Sequence, residues 1–184
     1  ITDKSNMFGS FKFIETVLNH PVNMDKTMSD LSLKPIVGCE INVCDDMYNK
    51  SVKDNGGEQV FLCKNINGFR NLSKLCSLSY IDGFYYVPRI DKKLLIEYKD
   101  NLIALTGSIY GEIPSLILNY GESKAEESFK WWHENFGDDF YVEINKHGIE
   151  EENHVNDILI KFANKYGVKI IASNDNLKRF ISWR

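Results

Sequence analysis

Apolar residues recur at three- and four-residue intervals along much of the chain, which is the period of a helix with one buried face. This pattern predicts helices over 65–80, 91–97, 112–118, 123–136 and 151–166. Asn65 and Asp91 are well placed to cap the N-termini of the first two helices, and Gly167 to cap the C-terminus of the last. The longer predicted helices are the main helical elements of the fold.

A stripe with the same spacing lies near the start of the chain. It consists of Phe8, Phe11, Ile14, Val17 and Leu18. A stripe of this kind usually faces the protein interior. We therefore expect an amphipathic helix whose apolar face packs on the core.

Short apolar runs between these helices are typical of buried strands. Strands are predicted over 34–44, 60–63, 102–106, 140–144 and 168–175, and residues 1–3 resemble the end of another strand. The polar stretch 45–57 is expected to be a surface loop, and 82–89 an aromatic loop. Because strands alternate with helices, the order indicates one α/β domain over 1–184, with a parallel sheet or barrel and right-handed crossovers.

The composition is that of an ordinary soluble domain, with 43% hydrophobic and 26% charged residues. The net charge of −4 gives no general attraction for nucleic acid, so direct DNA binding is not indicated. No apolar run reaches the ~20 residues that a membrane span needs, and no signal peptide is visible. The four cysteines contain no C-x-x-C pair, which favours free thiols in a reducing cytoplasm.

Two acidic residues close apolar runs that read as strands, Glu40 and Asp175. Carboxylates at the C-terminal ends of strands are where α/β barrels place metal ligands and catalytic groups. The same side chains could instead cap helices or accept hydrogen bonds from loop amides, and the sequence leaves both interpretations open. Histidines that could complete a metal site are scarce. His147, directly before a glycine, could equally be a turn or packing residue.

Several short motifs, in order along the chain, carry a specific resemblance. They are ITDKSNMFG (1–9), KPIVGCE (34–40), KNINGFRNL (64–72), GFYYVPRID (83–91), GEIP (111–114), FGDDFY (136–141), HG (147–148) and ND (174–175). With these motifs the chain resembles the PHP (polymerase and histidinol phosphatase) domain at the N-terminus of bacterial replicative DNA polymerase III alpha subunits.

The resemblance implies a distorted (β/α)₇ barrel with up to three metals, zinc, manganese or magnesium, at the C-terminal ends of its strands. Active members of the family cleave phosphoesters, because bound metals acidify water and clamp the oxygens of the displaced ester. The family's opening H-x-H strand would precede Ile1, so we expect a barrel that lacks its first strand. Such a barrel would expose an unpaired edge and be less stable than a full domain, or dimerise through that edge.

Carried across residue by residue, the resemblance keeps Glu40 and Asp175 as vestigial metal ligands. Glu58 falls where the family has a histidine, and it could substitute as an oxygen donor. Ser108 and Leu177 fall on two further ligand positions, and neither is a plausible replacement.

Lys4 falls on the position of another family histidine. Its ammonium would repel a cation, and its charge could pair with Glu40 or Glu58 instead. Our hypothesis is that Lys4 occupies the vacated metal position. We therefore expect no bound cofactor and no catalytic residue within this chain.

The resemblance implies a structural and interaction module that contacts the remaining domains of the polymerase alpha subunit. In some members the domain also docks a proofreading exonuclease subunit. Nucleotidyl transfer would belong to other domains, so this chain alone should not polymerise DNA. The alternatives are an active metal-dependent phosphoesterase or 3′–5′ exonuclease and, more remotely, an unrelated barrel enzyme acting on a small molecule.

Overall fold

The structure is a computed structural model that describes residues 1–24 and 32–173. Its strands are β1 Thr2–Lys4, β2 Gly38–Cys44, β3 Gly57–Cys63, β4 Arg89–Asp91, β5 Leu102–Leu105, β6 Phe140–Ile144 and β7 Lys169–Ala172. Its helices are α1 Ser10–Leu18, α2 Pro21–Met24, α3 Ile66–Ile81, α4 Lys92–Tyr98, α5 Glu112–Tyr120, α6 Glu122–Phe136 and α7 Glu150–Tyr166. A 3₁₀ turn, Gly137–Asp139, follows α6.

The strands form one mixed sheet in the order β1-β2-β3-β5-β6-β7. On the side of β2 away from β3, β1 pairs with its first half and β4 with its second half. The neighbours β2 and β5 both run antiparallel to β3, which corrects the expectation of a parallel sheet. The physical reason is the connection 45–56, which contains no helix and therefore makes a hairpin rather than a crossover.

Over the described residues the sheet is open. In that part of the chain β1 pairs only with β2 and β7 only with β6, so the two ends of the sheet do not meet. The structure thus shows an α/β fold built on one mixed sheet, and it leaves the barrel and its missing first strand as expectations. None of the helices in these residues combines the length and apolar character that a bilayer crossing requires.

The predicted helix caps are present in the structure. The Asn65 side chain accepts hydrogen bonds from the amides of Asn67 and Gly68, at 2.9 and 3.2 Å. Asp91 accepts from the amide of Leu94 at 2.9 Å. Gly167 ends α7 in the left-handed region, with φ of 69°, where a side chain would be strained. These contacts fix where the three helices begin or end.

An aromatic cluster fills the core between the sheet and the helices α6 and α7. Phe129 lies at its centre, 5.2 Å from the ring of Phe140 and 5.4 Å from that of Phe162. Trp132 and Phe61 extend the cluster, and all five side chains are essentially buried. Burial of so many large rings is a major source of stability for a domain of this size.

The apolar stripe near the start of the chain differs from the prediction. Phe8, in the turn before α1, is 91% exposed, and on α1 itself Phe11 is 78% and Leu18 53% exposed. Ile14 and Val17 are only half-buried, so the prediction that this stripe packs on the core is wrong. Periodicity reports that a helix has an apolar face, but it does not report what covers that face.

A fully buried arginine organises the long hairpin loop. Arg89 lies on β4, a strand that the sequence pattern assigned to an aromatic loop. Its guanidinium donates to the carbonyl oxygens of Gly83 at 3.1 Å, Asp54 at 2.6 Å and Met47 at 3.1 Å. The ring of Tyr85 lies 5.3 Å from the guanidinium carbon. Arg89 therefore connects β4 to the loop 45–56.

Candidate functional site

Three neighbouring strands bring Lys4, Glu40 and Glu58 together. Lys4 ends β1 and is paired in register with Glu40 of β2, while Glu58 lies near the start of β3, opposite Asn42. The Lys4 Nζ atom lies 2.9 Å from Oε1 of Glu40 and 2.9 Å from Oε2 of Glu58. The sequence offered either glutamate as a partner, and the register allows the ammonium to contact both.

The three charges perturb one another. Burial acts to lower the pKa of Lys4, but the contacts with Glu58 and Glu40 outweigh it, so the pKa lies above its ordinary value. Burial raises the pKa of the Glu40 carboxyl, against the opposing effect of the Lys4 ammonium. The Lys4 side chain is 52% exposed, and ion pairs of such exposure contribute only about 0–1 kcal/mol. The cluster therefore contributes little to the stability of the fold. Its interest lies in where it places the three charges.

An open cleft of about 630 Å³ lies over this cluster. Its lining includes Lys4, Asn42, Glu58, Tyr110 and Asn119. The amide of Glu58 donates a hydrogen bond of 2.9 Å to the carbonyl oxygen of Tyr110 and so connects two of these residues. The cleft therefore lies directly beside the ion pair between Lys4 and Glu58.

Of the other proposed ligand positions, Ser108 is the one within residues 1–24 and 32–173, and it does not join this cluster. Ser108 follows β5, and its hydroxyl accepts from the amide of Tyr110 at 3.4 Å, within its own turn. Asp175 and Leu177 lie outside the described residues, so their roles remain those stated from the sequence.

Comparison with known proteins identifies the relatives of this chain. Residues 1–147 match the PHP domain family. The chain belongs to the PHP domain family. This confirms the resemblance that the sequence motifs indicated.

The PHP domain described here is similar to bacterial proteins named DNA polymerase III subunit alpha. It is 37% identical to that of Borreliella burgdorferi over 180 residues, which is 96% of this chain and 15% of that protein. The identity to the Thermus aquaticus protein is 36%, over 95% of this chain and 14% of the relative. The identity to the Treponema pallidum protein is 34%, with the same coverage. The chain thus spans about one-seventh of the length of these relatives.

The described side chains of this PHP domain do not fit a metal cluster. In residues 1–24 and 32–173, no three His, Cys, Asp or Glu side chains are grouped closely enough to hold a metal ion. The two carboxylates that do meet, Glu40 and Glu58, already share the ammonium of Lys4. A cation has no lone pair to offer a metal, so Lys4 competes for the oxygens that a metal would need.

A second polar cluster, which the sequence did not reveal, lies where β5, β6 and β7 end. The buried hydroxyl of Thr106 accepts from the amide of Glu143 at 2.9 Å. The Ser173 hydroxyl donates to the Glu143 carboxylate and, at 3.2 Å, to Oδ1 of Asn145. These polar side chains thus connect β5, β6 and β7 of the PHP domain. Their positions at the ends of predicted strands could have pointed to this cluster. These residue types are, however, too common at strand ends to identify it alone.

His147 takes part in a turn before α7. Its amide donates to Oε2 of Glu152 at 2.6 Å, and its Nδ1 lies 2.6 Å from Oε1 of the same carboxylate. Glu152 is the third residue of α7, so its side chain reaches back as in a capping box. Burial acts to raise the pKa of Glu152, but the bonds from His147 outweigh it and hold the pKa below its usual value.

We expect Glu152→Gln to destabilise the domain by about 1 kcal/mol at neutral pH, since it removes a charged acceptor. A depressed carboxylate pKa stabilises the fold above the unfolded pKa of 4.5 and loses that contribution as pH falls through the folded pKa. The difference between variant and parent should therefore shrink as the pH drops below about 4.5. Urea unfolding at several pH values measures this, and a difference that grows in acid would contradict it.

Proposed function

We propose that this chain is the PHP-domain portion of a DNA polymerase III alpha subunit, where it acts as a structural and interaction module with a degenerate metal site. The similarity over about 95% of the chain to three subunits of that name supports the parentage. DNA synthesis would then be the activity of the whole subunit, carried by the part that this chain does not include.

One observation carries the proposal that the site is degenerate. The ammonium of Lys4 lies 2.9 Å from a carboxylate oxygen of each of Glu40 and Glu58. It thereby neutralises part of the charge that would otherwise attract a divalent cation. Glu40 and Asp175 are in this view retained ligands of a lost cluster, Glu58 is an oxygen donor at a former histidine position, and Lys4 stands in the position of a metal.

The finer form of the fold belongs to the same proposal. We expect the mixed sheet to be part of a distorted (β/α)₇ barrel. The parallel pairing of β5, β6 and β7, each joined to the next through helices, supports this arrangement.

Metal binding tests the degenerate site. After incubation with excess Zn²⁺ or Mn²⁺ and gel filtration, the parent protein should retain well below one metal per chain, measured by elemental mass spectrometry. Lys4→His replaces the ammonium with a ligand beside two carboxylates, and we expect at least a tenfold gain in retained metal. Lys4→Met is the control, because it removes the charge without adding a ligand.

The competing function is a metal-dependent 3′–5′ exonuclease. Stoichiometric metal on the parent protein, together with release of nucleotides from a primer 3′ end, would establish it and refute our proposal. A gain of metal in Lys4→Met equal to that in Lys4→His would show that charge alone, without a new ligand, decides binding.

An exposed apolar patch formed by Phe8, in the turn before α1, and Phe11, on α1, supports the interaction role. The two rings are 91% and 78% exposed, although they lie only three positions apart in the sequence. We propose that this patch contacts the remaining domains of the alpha subunit. Docking of a proofreading exonuclease subunit is a further proposal that the resemblance implies.

We expect the double substitution Phe8→Ser and Phe11→Ser to weaken binding to the remainder of the alpha subunit by tenfold or more. Thermal stability should change little, because the rings bury almost no area within this domain. Isothermal titration calorimetry, in which the separately expressed remainder of the alpha subunit is titrated into this domain, measures the affinity. Tyr120→Ser is the matched control, since this tyrosine on α5 is 65% exposed. Unchanged affinity in the double variant would refute the proposed contact.

A further inference from the structure

Two thiols from different elements are in contact inside the domain. Cys39 of β2 and Cys76 of α3 have their sulfur atoms 3.5 Å apart. A disulfide bond is about 2.05 Å long, so bonding requires the sulfurs to approach by only about 1.5 Å. Both side chains are otherwise free thiols. The pair is thus placed for a cross-link between the sheet and α3.

Only one of the two thiols has a route to solvent. Cys76 lines a mostly apolar cleft of about 330 Å³ that lies between α3 and the turn after β1, together with Met7 and Ser73. Cys76 is 8% exposed, whereas Cys39 is 0% exposed and lies behind it, with its sulfur 3.2 Å from the carbonyl oxygen of Asp3. A small oxidant entering the cleft would therefore meet Cys76 first.

We propose that Cys39 and Cys76 form a reversible intramolecular disulfide on reaction with a hydroperoxide. The Cys76 thiolate attacks one peroxide oxygen, the O–O bond breaks, and the leaving hydroxide takes a proton to become water. The resulting sulfenic acid is attacked by the sulfur of Cys39, which loses its proton, and the S–O bond breaks to release a second water. Two thiols lose two electrons in total, and hydrogen peroxide is reduced to two waters.

The cross-link would act on the candidate site through β2. Cys39 directly precedes Glu40, and it is paired in register with Asp3, the residue before Lys4. The bond would close a loop between positions 37 apart and anchor β2 to α3. Restriction of the unfolded chain should raise the melting temperature of the oxidised protein by roughly 5–10 °C.

Peptide mapping of the parent protein decides the proposal. After treatment with about one equivalent of hydrogen peroxide, a non-reducing digest should contain one peptide pair linked through Cys39 and Cys76, and dithiothreitol should remove the link. A Cys63–Cys76 link, sulfinic acid on Cys76, sulfoxide on Met7 with both thiols intact, or no reaction would each overturn it.

Single substitutions test the assigned order. Cys39→Ser should leave Cys76 as a sulfenic acid that dimedone traps, whereas Cys76→Ser should leave Cys39 reduced. Cys44→Ser is the matched control, because Cys44 is buried but lies outside the cleft, and it should form the disulfide as the parent does. If a serine variant fails to fold, the map of the parent protein still gives the answer.

Discussion

Replacing Arg89 with methionine should lower the free energy of unfolding by about 3–5 kcal/mol. The guanidinium is completely buried and donates to the carbonyl of Gly83 and, in the loop 45–56, to those of Asp54 and Met47. Methionine can fill part of the volume, but it leaves those oxygens without a donor. The loop 45–56 would lose its attachment to β4, so its cleavage by proteases should also accelerate.

Urea unfolding and limited proteolysis measure the two effects. Arg70→Met is the matched control, because Arg70 lies exposed on α3 and should cost less than about 0.5 kcal/mol when replaced. A loss below about 1 kcal/mol in Arg89→Met, with unchanged proteolysis of the loop, would show that water replaces the guanidinium and that Arg89 does not organise the hairpin.

The second large effect is expected for Glu112→Ala. Oε1 of Glu112 accepts from Lys92 at 2.6 Å and from Ser128 at 2.7 Å, and Oε2 accepts from the indole of Trp132 at 3.1 Å. One carboxylate thus connects three helices, α4, α5 and α6. Its removal leaves the buried indole N–H unpaired and the Lys92 charge uncompensated, at a cost of about 2–4 kcal/mol.

Chemical denaturation quantifies this loss, and tryptophan fluorescence should report the altered surroundings of Trp132. Glu127→Ala is the matched control, since Glu127 lies exposed on α6, the helix that carries Ser128 and Trp132. Equal losses in the two variants would contradict a special role for Glu112. Glu112→Gln should fall between them, because the amide oxygen retains an acceptor but not the charge.

The helices were predicted well, because apolar periodicity and capping residues are signals carried by residues close together in the sequence. The caps at Asn65, Asp91 and Gly167 lie where the sequence placed them. In contrast, β4 is only three residues long and follows an aromatic stretch, and its pairing with β2 depends on residues more than forty positions away. A short strand of this kind has no periodic signal of its own.

The sequence predicted the residues of the candidate site but not how they meet. A family motif placed Lys4 and Glu40 on ligand positions, and opposite charge suggested an ion pair. That Lys4 contacts both Glu40 and Glu58 follows from the registers of three strands, which composition cannot give. The antiparallel direction of β3 could have been read from the hairpin-length connection without a helix, but the alternation of strands and helices elsewhere favoured the parallel prediction.

Because β3 runs antiparallel to β2, the geometry of the site depends on the pairing register of the β2–β3 hairpin. Because β3 runs opposite to its neighbours, Glu58 reaches the cleft from the beginning of its strand rather than from the end. Its place is therefore set by how many residues the loop 45–56 contains and how they are anchored. Slippage by one residue would turn the Glu58 side chain to the opposite face of the sheet. Insertions in an ordinary surface loop are usually tolerated. An insertion in this loop would shift β3 and remove the Glu58 carboxylate from beside Lys4.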